Sequence, residues 1–274
     1  MTSISITTLL SRKRAVGERF GRAAASYDAN VSIQTACGTF LVMMGPSELV
    51  GDRAVDLGCA TASQAQAQQI RWRRSRWLGV DLSPDMLEQA RKLGRTGKNY
   101  QLLCADAERL PLATASQALV FSSFALQWCR PQRVAAEVAR VLMPGGTLML
   151  CVPLAGSLQE LADSWAVVDD HPHVNPLPTV GDWQRAFTDA GLKRLIWRTG
   201  AIPDHYPDVK SLTRSLQGSG VGHIPNRAHG LTGKSTWAAM TKAYERYRQD
   251  EGLPVTWQVL FAHLHKPLLQ DEYH

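Results

Sequence analysis

Short apolar runs alternate with longer amphipathic stretches through the first 150 residues of the chain. The runs AVDL (54–57), WLGVDL (77–82), YQLLCAD (100–106), ALVFSS (118–123) and TLMLCVP (147–153) have the length and apolar content of strands covered on both faces. Between them, SPDMLEQARKLG and PQRVAAEVARVL repeat apolar residues at helical spacing. The first places Ser83 at the N-cap, Pro84 at N1 and acids in the opening turn, each of which favours a helix start. The second runs into MPGG, where Pro144 and two glycines predict a helix stop and a turn into the next strand. Strands that alternate with helices in this way predict βαβ units and a doubly wound, mostly parallel α/β sheet.

After residue 153 the rhythm changes. SLQELADSWAVVDD and TVGDWQRAFTDAG read as helices, LKRLIWRTG as a sixth strand and VTWQVLFAHLHK as a seventh. Before that last strand comes a stretch rich in His, Tyr, Gly and Arg, followed by the helical STWAAMTKAYERYRQDEG. No low-complexity linker or internal repeat divides the chain. The expectation is one domain over 1–274, with a helical cap at 1–45 and a helical lid inserted at 204–250.

Composition narrows the function. A chain of 274 residues can bury a large core. No apolar run approaches the ~20 residues that span a bilayer, and the N-terminal basic residues follow the apolar patch, unlike a signal peptide. The five cysteines form no CxxC pair, which predicts buried free thiols in a reducing cytoplasm rather than a metal site or disulfide framework. Thirty basic against 24 acidic residues give a net charge of +6, which suits an acidic partner. The densest basic run, RWRRSRW (71–77), has the Arg–Trp interleaving of a nucleic-acid contact, but reads better as the solvated end of a helix entering a strand. Neither a nucleic acid nor a membrane is expected as a partner.

The candidate chemistry lies at the strand ends. Asp56, Asp81 and Asp106 each close a predicted strand, where ligands of a doubly wound sheet sit. A carboxylate ending the second strand can accept both hydroxyls of a ribose, the role expected of Asp81. Asp106 can accept an amino hydrogen of adenine beside the Ala107 backbone. The loop AVDLGCATASQAQ (54–66) turns at Gly58 but carries Ala60 and Ala62 where a nucleotide loop has glycine. A dinucleotide needs that second glycine for its pyrophosphate, and Asp56 would repel phosphate. S-adenosylmethionine, with an ammonium, a sulfonium and no phosphate, fits this loop better.

VDLGCAT, GVDLSPDMLEQAR, CADAERLPL, FSSFALQWC and VLMPGG resemble the successive motifs of class I S-adenosylmethionine-dependent methyltransferases, over roughly residues 50–150. RFGRAAASYDANVSIQ (19–34), HVN (173–175), YPDVKSLTRSLQGSGVGH (206–223), GLTG (230–233) and GLPVTWQVLFAHLHKP (252–267) resemble the malonyl-acyl-carrier-protein O-methyltransferases of biotin synthesis. The departures are Ala60, Ala62, and Ser123 where that family more often has Asn. The resemblance implies a seven-stranded Rossmann-like sheet and methyl transfer to the free carboxylate of malonyl on acyl carrier protein. It also implies a cofactor set of Arg22, Asp56, Gly58, Asp81, Leu82, Asp106, Ala107 and Ser122, with no metal. Tyr27 and Arg214 are the catalytic candidates, Arg214 as a fork for the malonyl carboxylate, and Trp128 is a wall of the substrate site. Two other readings stay open: methyl transfer to another small acid or a quinone precursor, and a scaffold whose cofactor loop has degenerated.

Overall fold

The computed structural model describes residues 6–219 and 233–268, with side chains from residue 13 onward. The first strands are β1 (Arg53–Leu57), β2 (Arg76–Asp81), β3 (Tyr100–Cys104) and β4 (Gln117–Ser123). β5 (Leu142–Pro153), β6 (Lys193–Tyr206) and β7 (Leu253–His265) complete one seven-stranded sheet in the order β3-β2-β1-β4-β5-β7-β6. Strands β1 to β5 run parallel, and β7 enters antiparallel to both of its neighbours.

Successive residues of the central strands feed opposite faces, as the pleat requires. Ala54, Leu119, Phe121 and Met149 join the core on one face, while Val55, Val120, Leu148 and Leu150 join the core on the other. The first face is covered by α2 (Ser32–Met44) and α3 (Ala65–Arg71), the second by α5 (Pro131–Val141) and α7 (Val180–Asp189). α1 (Ile6–Ala23) lies against α4 (Pro84–Lys92). Between β5 and β6 stand α6 (Gln159–Ala166) and α7; between β6 and β7 stand α8 (Val209–Gly218) and α9 (Lys234–Tyr244). Among the described residues, no helix is long and apolar enough to cross a membrane.

Four local expectations change. MPGG does not turn the chain outside the sheet: β5 already starts at Leu142, and Gly145 (φ 77°) is accommodated where the pairing with β4 shifts register. Ser83 occupies the N-cap of α4, but its hydroxyl is buried without a partner among the described residues; its backbone N–H donates to Asp81 instead. β6 continues to Tyr206, so the insertion starts beyond that strand rather than at 204. α9 ends at Tyr244, well short of the expected Gly252. In RWRRSRW the two indoles are core: Trp72 and Trp77 are buried 5.7 Å apart between α3 and β2. All five cysteines are free thiols.

Candidate active site

The strand order reverses between β1 and β4, and a cleft of about 1040 Å³ opens beyond the carboxyl ends of the strands there. Its floor is the loop after β1. Gly58, Ala60 and Ala62 all adopt left-handed backbone, with φ of 72°, 47° and 55°. Gly58 admits no side chain, since a Cβ there would lie 2.1 Å from that of Ala125. Each alanine in this conformation costs about 1–2 kcal/mol, so the loop keeps its shape only because other bonds impose it. The N–H groups of Gly58 and Cys59 both donate to Val80 O (2.7 and 3.1 Å), and that of Ala60 donates to Asp81 Oδ2 (2.9 Å). Thr61 donates its hydroxyl to Asp28 (2.6 Å), which is ion-paired with Arg95 (2.6 Å), and Arg95 also donates to the Thr61 carbonyl (3.1 Å). These contacts staple the turn Tyr27–Asn30 onto the loop.

Acids dominate the cleft. Asp81 accepts backbone N–H bonds at both oxygens, from Ala60 and Ser83, which fixes its plane at the end of β2. Burial raises its pKa, and those backbone donors oppose the rise. Asp106 accepts from Lys13 of α1 (2.5 Å), and Lys13 also pairs with Glu108 (3.0 Å), itself held by Arg130 (3.0 Å). Burial acts on Glu108 in the opposite sense, but its bonds with Arg130 and Lys13 hold its pKa below the ordinary value. Tyr27 lines the cleft with its hydroxyl unpartnered among the described residues, and burial, then the charges of Asp81 and Asp28, push its pKa far up.

On the other side of the loop, a smaller polar recess shares Tyr27, Gly58 and Ala60 with the cleft. Asp56 lines this recess, accepting from Gln68 (2.9 Å) and from the Tyr100 hydroxyl (3.1 Å). Burial lifts its pKa to about 6 against the pull of those two donors. Tyr100 reaches Asp56 because Gly79 leaves room: a Cβ at 79 would lie 2.8 Å from the tyrosine ring. The recess also holds Gln34, whose Oε1 is buried without a partner among the described residues. Trp128 packs edge-on against Phe20 and forms a wall common to the cleft and a separate apolar cavity.

A family profile described as a methyltransferase domain matches residues 55–150, the strands and loops just described. A malonyl-[acyl-carrier protein] O-methyltransferase from Alcanivorax borkumensis is 50% identical over 93% of this chain and 87% of its own length. The chain belongs to the malonyl-[acyl-carrier protein] O-methyltransferase family. A biotin biosynthesis bifunctional protein from Cellvibrio japonicus is 34% identical over 96% of this chain and 52% of that longer protein. The structure of a geranyl diphosphate C-methyltransferase from Streptomyces coelicolor, bound to S-adenosyl-L-homocysteine, superposes with a TM-score of 0.53 at 15% identity. It covers 84% of this chain and 78% of that one, a likeness of fold alone. The fold and the enzyme class expected from the motifs are therefore those of the molecule: a Rossmann-like, S-adenosylmethionine-dependent O-methyltransferase.

The residues expected at the site divide into three groups. Gly58, Asp81, Leu82, Asp106, Ala107, Tyr27 and Trp128 line the cleft together, and Asp56 lines the adjoining recess. Ser122 does not reach either: it is fully buried in β4, with its hydroxyl donating to Leu57 O at 2.8 Å. Arg22, in the last turn of α1, and Arg214, on α8, are exposed and stand outside the lining. Of the insertion segments, residues 220–232 lie outside the described residues. Sequence reading missed Lys13, Glu108, Arg130 and Gln34. Lys13 lies 93 positions from its partner Asp106, a pairing that no local pattern reveals. Gln34 stood inside the motif RFGRAAASYDANVSIQ, but a glutamine on a helix carries no signal of its own.

Proposed function

We propose that this enzyme, in the cytoplasm, methylates the free carboxylate of a malonyl group carried on acyl carrier protein, starting the biotin precursor chain. The observation that carries this reading is 50% identity over 93% of the chain to a relative of that name, because the match extends well beyond residues 55–150. S-adenosylmethionine supplies an electrophilic methyl group on a cationic sulfur. The lining suits such a ligand: the acids Asp81, Asp106 and Glu108 outnumber the cations Lys13 and Arg130, and both cations are already paired with acids. The recess adds two acceptors for an ammonium, the Asp56 carboxylate and the unpartnered Gln34 Oε1. We assign Asp81 to the ribose, Asp106 and Ala107 to the adenine edge with Leu82 beside it, and Gly58 and Ala60 to the methionine end. Ser122 supports the loop through Leu57 instead of touching the ligand.

No general base is needed. A carboxylic acid with a pKa near ~4 is ionised at neutral pH, so the work is to orient it, which is worth about 7–11 kcal/mol when complete. Tyr27, with its pKa pushed up, stays protonated and donates a hydrogen bond. Arg214 is the proposed fork for the carboxylate. Its guanidinium makes no ion pair among the described residues, and its helix packs on the Tyr27–Asn30 turn. That role requires the exposed side chain to fold inward with the acceptor. In this reading α1 and α2 form a cap, and α8 and α9 belong to a lid. The net charge of +6 favours association with an acidic carrier.

The test is transfer of labelled methyl to malonyl-carrier protein, beside malonyl-coenzyme A and succinyl-carrier protein. The expected order places malonyl-carrier protein first. No transfer to any malonyl acceptor by an enzyme that binds S-adenosylmethionine would point to another small acid. No binding at millimolar cofactor would leave the scaffold reading.

A further inference from the structure

Behind Trp128 lies a small, partly open cavity that none of the proposed cofactor contacts use. Leu158, Leu161, Val174, Leu216 and Trp257 make most of it apolar. His173 closes it as a fixed wall, with its ring stacked on Trp165 at 3.8 Å and Nε2 held 2.9 Å from Asp169 Oδ1. Besides His173 and Asn175, two adjacent residues of this lining each carry a buried polar side-chain atom. Trp128 Nε1, a donor, and Gln127 Oε1, an acceptor, are buried and have no hydrogen-bond partner among the described residues. Gln127 is only 8% exposed, and its orientation is set by its amide N–H donating to Phe124 O at 2.8 Å.

Leaving a buried polar group unpaired costs about 1–3 kcal/mol. One donor and one acceptor on adjacent residues of an apolar wall match a group that carries one acceptor and one donor, which is a secondary amide. In a malonyl thioester carried on a phosphopantetheine arm, the first secondary amide stands two methylenes beyond the sulfur. We propose that this cavity binds that amide. Its carbonyl accepts from Trp128 Nε1, its N–H donates to Gln127 Oε1, and the methylenes and sulfur lie on the leucines, with the malonyl end on the cleft side of Trp128. This rests on the malonyl-thioester reading above and adds how the arm is recognised. Acyl carrier protein and coenzyme A present the same amide, so both use the cavity.

The experiment is competition against methyl transfer to malonyl-carrier protein. One competitor is the malonyl thioester of N-acetylcysteamine, which keeps the amide; the other is the malonyl pentyl thioester, of equal length without it. The amide-bearing competitor is expected to bind at least tenfold tighter to the wild-type enzyme. Gln127→Met and Trp128→Phe should each reduce that preference to threefold or less. Gln127→Met should also raise KM for malonyl-carrier protein and malonyl-coenzyme A by similar factors while cofactor affinity, read by calorimetry, changes less than twofold. Equal binding of the two competitors to the wild-type enzyme overturns the proposal. So does a preference that survives both variants, or a KM effect confined to the carrier, which would place these residues in folding or docking. An absence of methyl transfer to malonyl-carrier protein by the wild-type enzyme is a failure of the function reading instead.

Discussion

Beside the cleft at the β1–β4 reversal, with its three acids and two paired cations, the cavity behind Trp128 has a mostly apolar lining, in which Trp128 Nε1 and Gln127 Oε1 have no partner among the described residues. α1 and the Tyr27–Asn30 turn add Lys13 and Tyr27 to the cleft, which takes its floor from residues at or just past strand ends: Gly58 after β1, Asp81 closing β2, Asp106 just past β3 and Phe124 after β4. Their positions are fixed by backbone pairing, and their chemistry is charge. The second cavity draws on residues as far apart as Gln127, Pro153, Leu216 and Trp257. Its selectivity comes from shape and from hydrogen bonds that water no longer offers. One region is suited to a charged ligand and the other to a long, mostly apolar arm.

The largest expected effect separates the two regions by substitution. Asp81→Ala should raise the cofactor Kd at least tenfold, or ~1.4 kcal/mol, with little change in the acceptor KM. Val174→Phe, which fills the second cavity, should do the converse: an acceptor KM about tenfold higher and a cofactor Kd within twofold of wild type. Calorimetry with initial-rate kinetics on folded protein reads both. Parallel losses in either variant would merge the two sites into one.

A smaller effect concerns pH and only the polar region. The pKa of Asp56 is about 6 in the folded protein, against ~3.9 in the unfolded chain. The folded state then keeps a proton that the unfolded chain loses between pH 4 and 6. Stability from this group is full below about pH 4 and declines as the pH rises through 6. Asp56→Asn can retain the bonds from Gln68 and Tyr100 but does not titrate. Its melting temperature relative to wild type should therefore rise from pH 4 to pH 7, while its cofactor affinity falls. A difference that stays flat across this range would show that burial does not strain the carboxylate.

The smallest effect tests the strained loop. Ala60 is partly exposed in the cleft, so Ala60→Gly relieves left-handed strain without losing core contact. Ala62 is 1% exposed, and its methyl is packed. Removing that methyl forfeits about 0.8 kcal/mol of burial against a similar relief. Ala60→Gly should stabilise by up to ~1 kcal/mol and Ala62→Gly should be close to neutral, with neither weakening cofactor binding. Thermal melts and calorimetry check the order. The two alanines carry the same methyl, so burial as well as φ decides the order.

The legible part of the molecule was what the backbone repeats. The strands at 54–57, 77–82 and 118–123 were found within a residue or so because both faces of each are covered and their runs are apolar throughout. β6 was cut short because it is an edge strand, largely exposed, with Gly200 and Pro203 interrupting any alternation. Asp56, Asp81 and Asp106 were readable because they lie at the ends of successive strands. Ser122 was misplaced because strand position does not say which face a hydroxyl takes, and this one points to Leu57 O. The Lys13–Asp106–Glu108–Arg130 chain and the Asp28–Thr61–Arg95 staple were invisible, since each joins segments that only the folded sheet brings together.

The indole of Trp128 is a wall that the two cavities share, so a change in its position touches both occupancies at once. A ligand that narrows the rotamers of Trp128 from one side prepays part of the ordering required on the other. Whatever factor the acceptor gains from a loaded cleft must be returned in full to the cofactor by a loaded cavity. The by-product of transfer leaves the cleft, and the esterified acceptor leaves the cavity. Where such coupling operates, the first to depart loosens the hold on the second, and product release is cooperative.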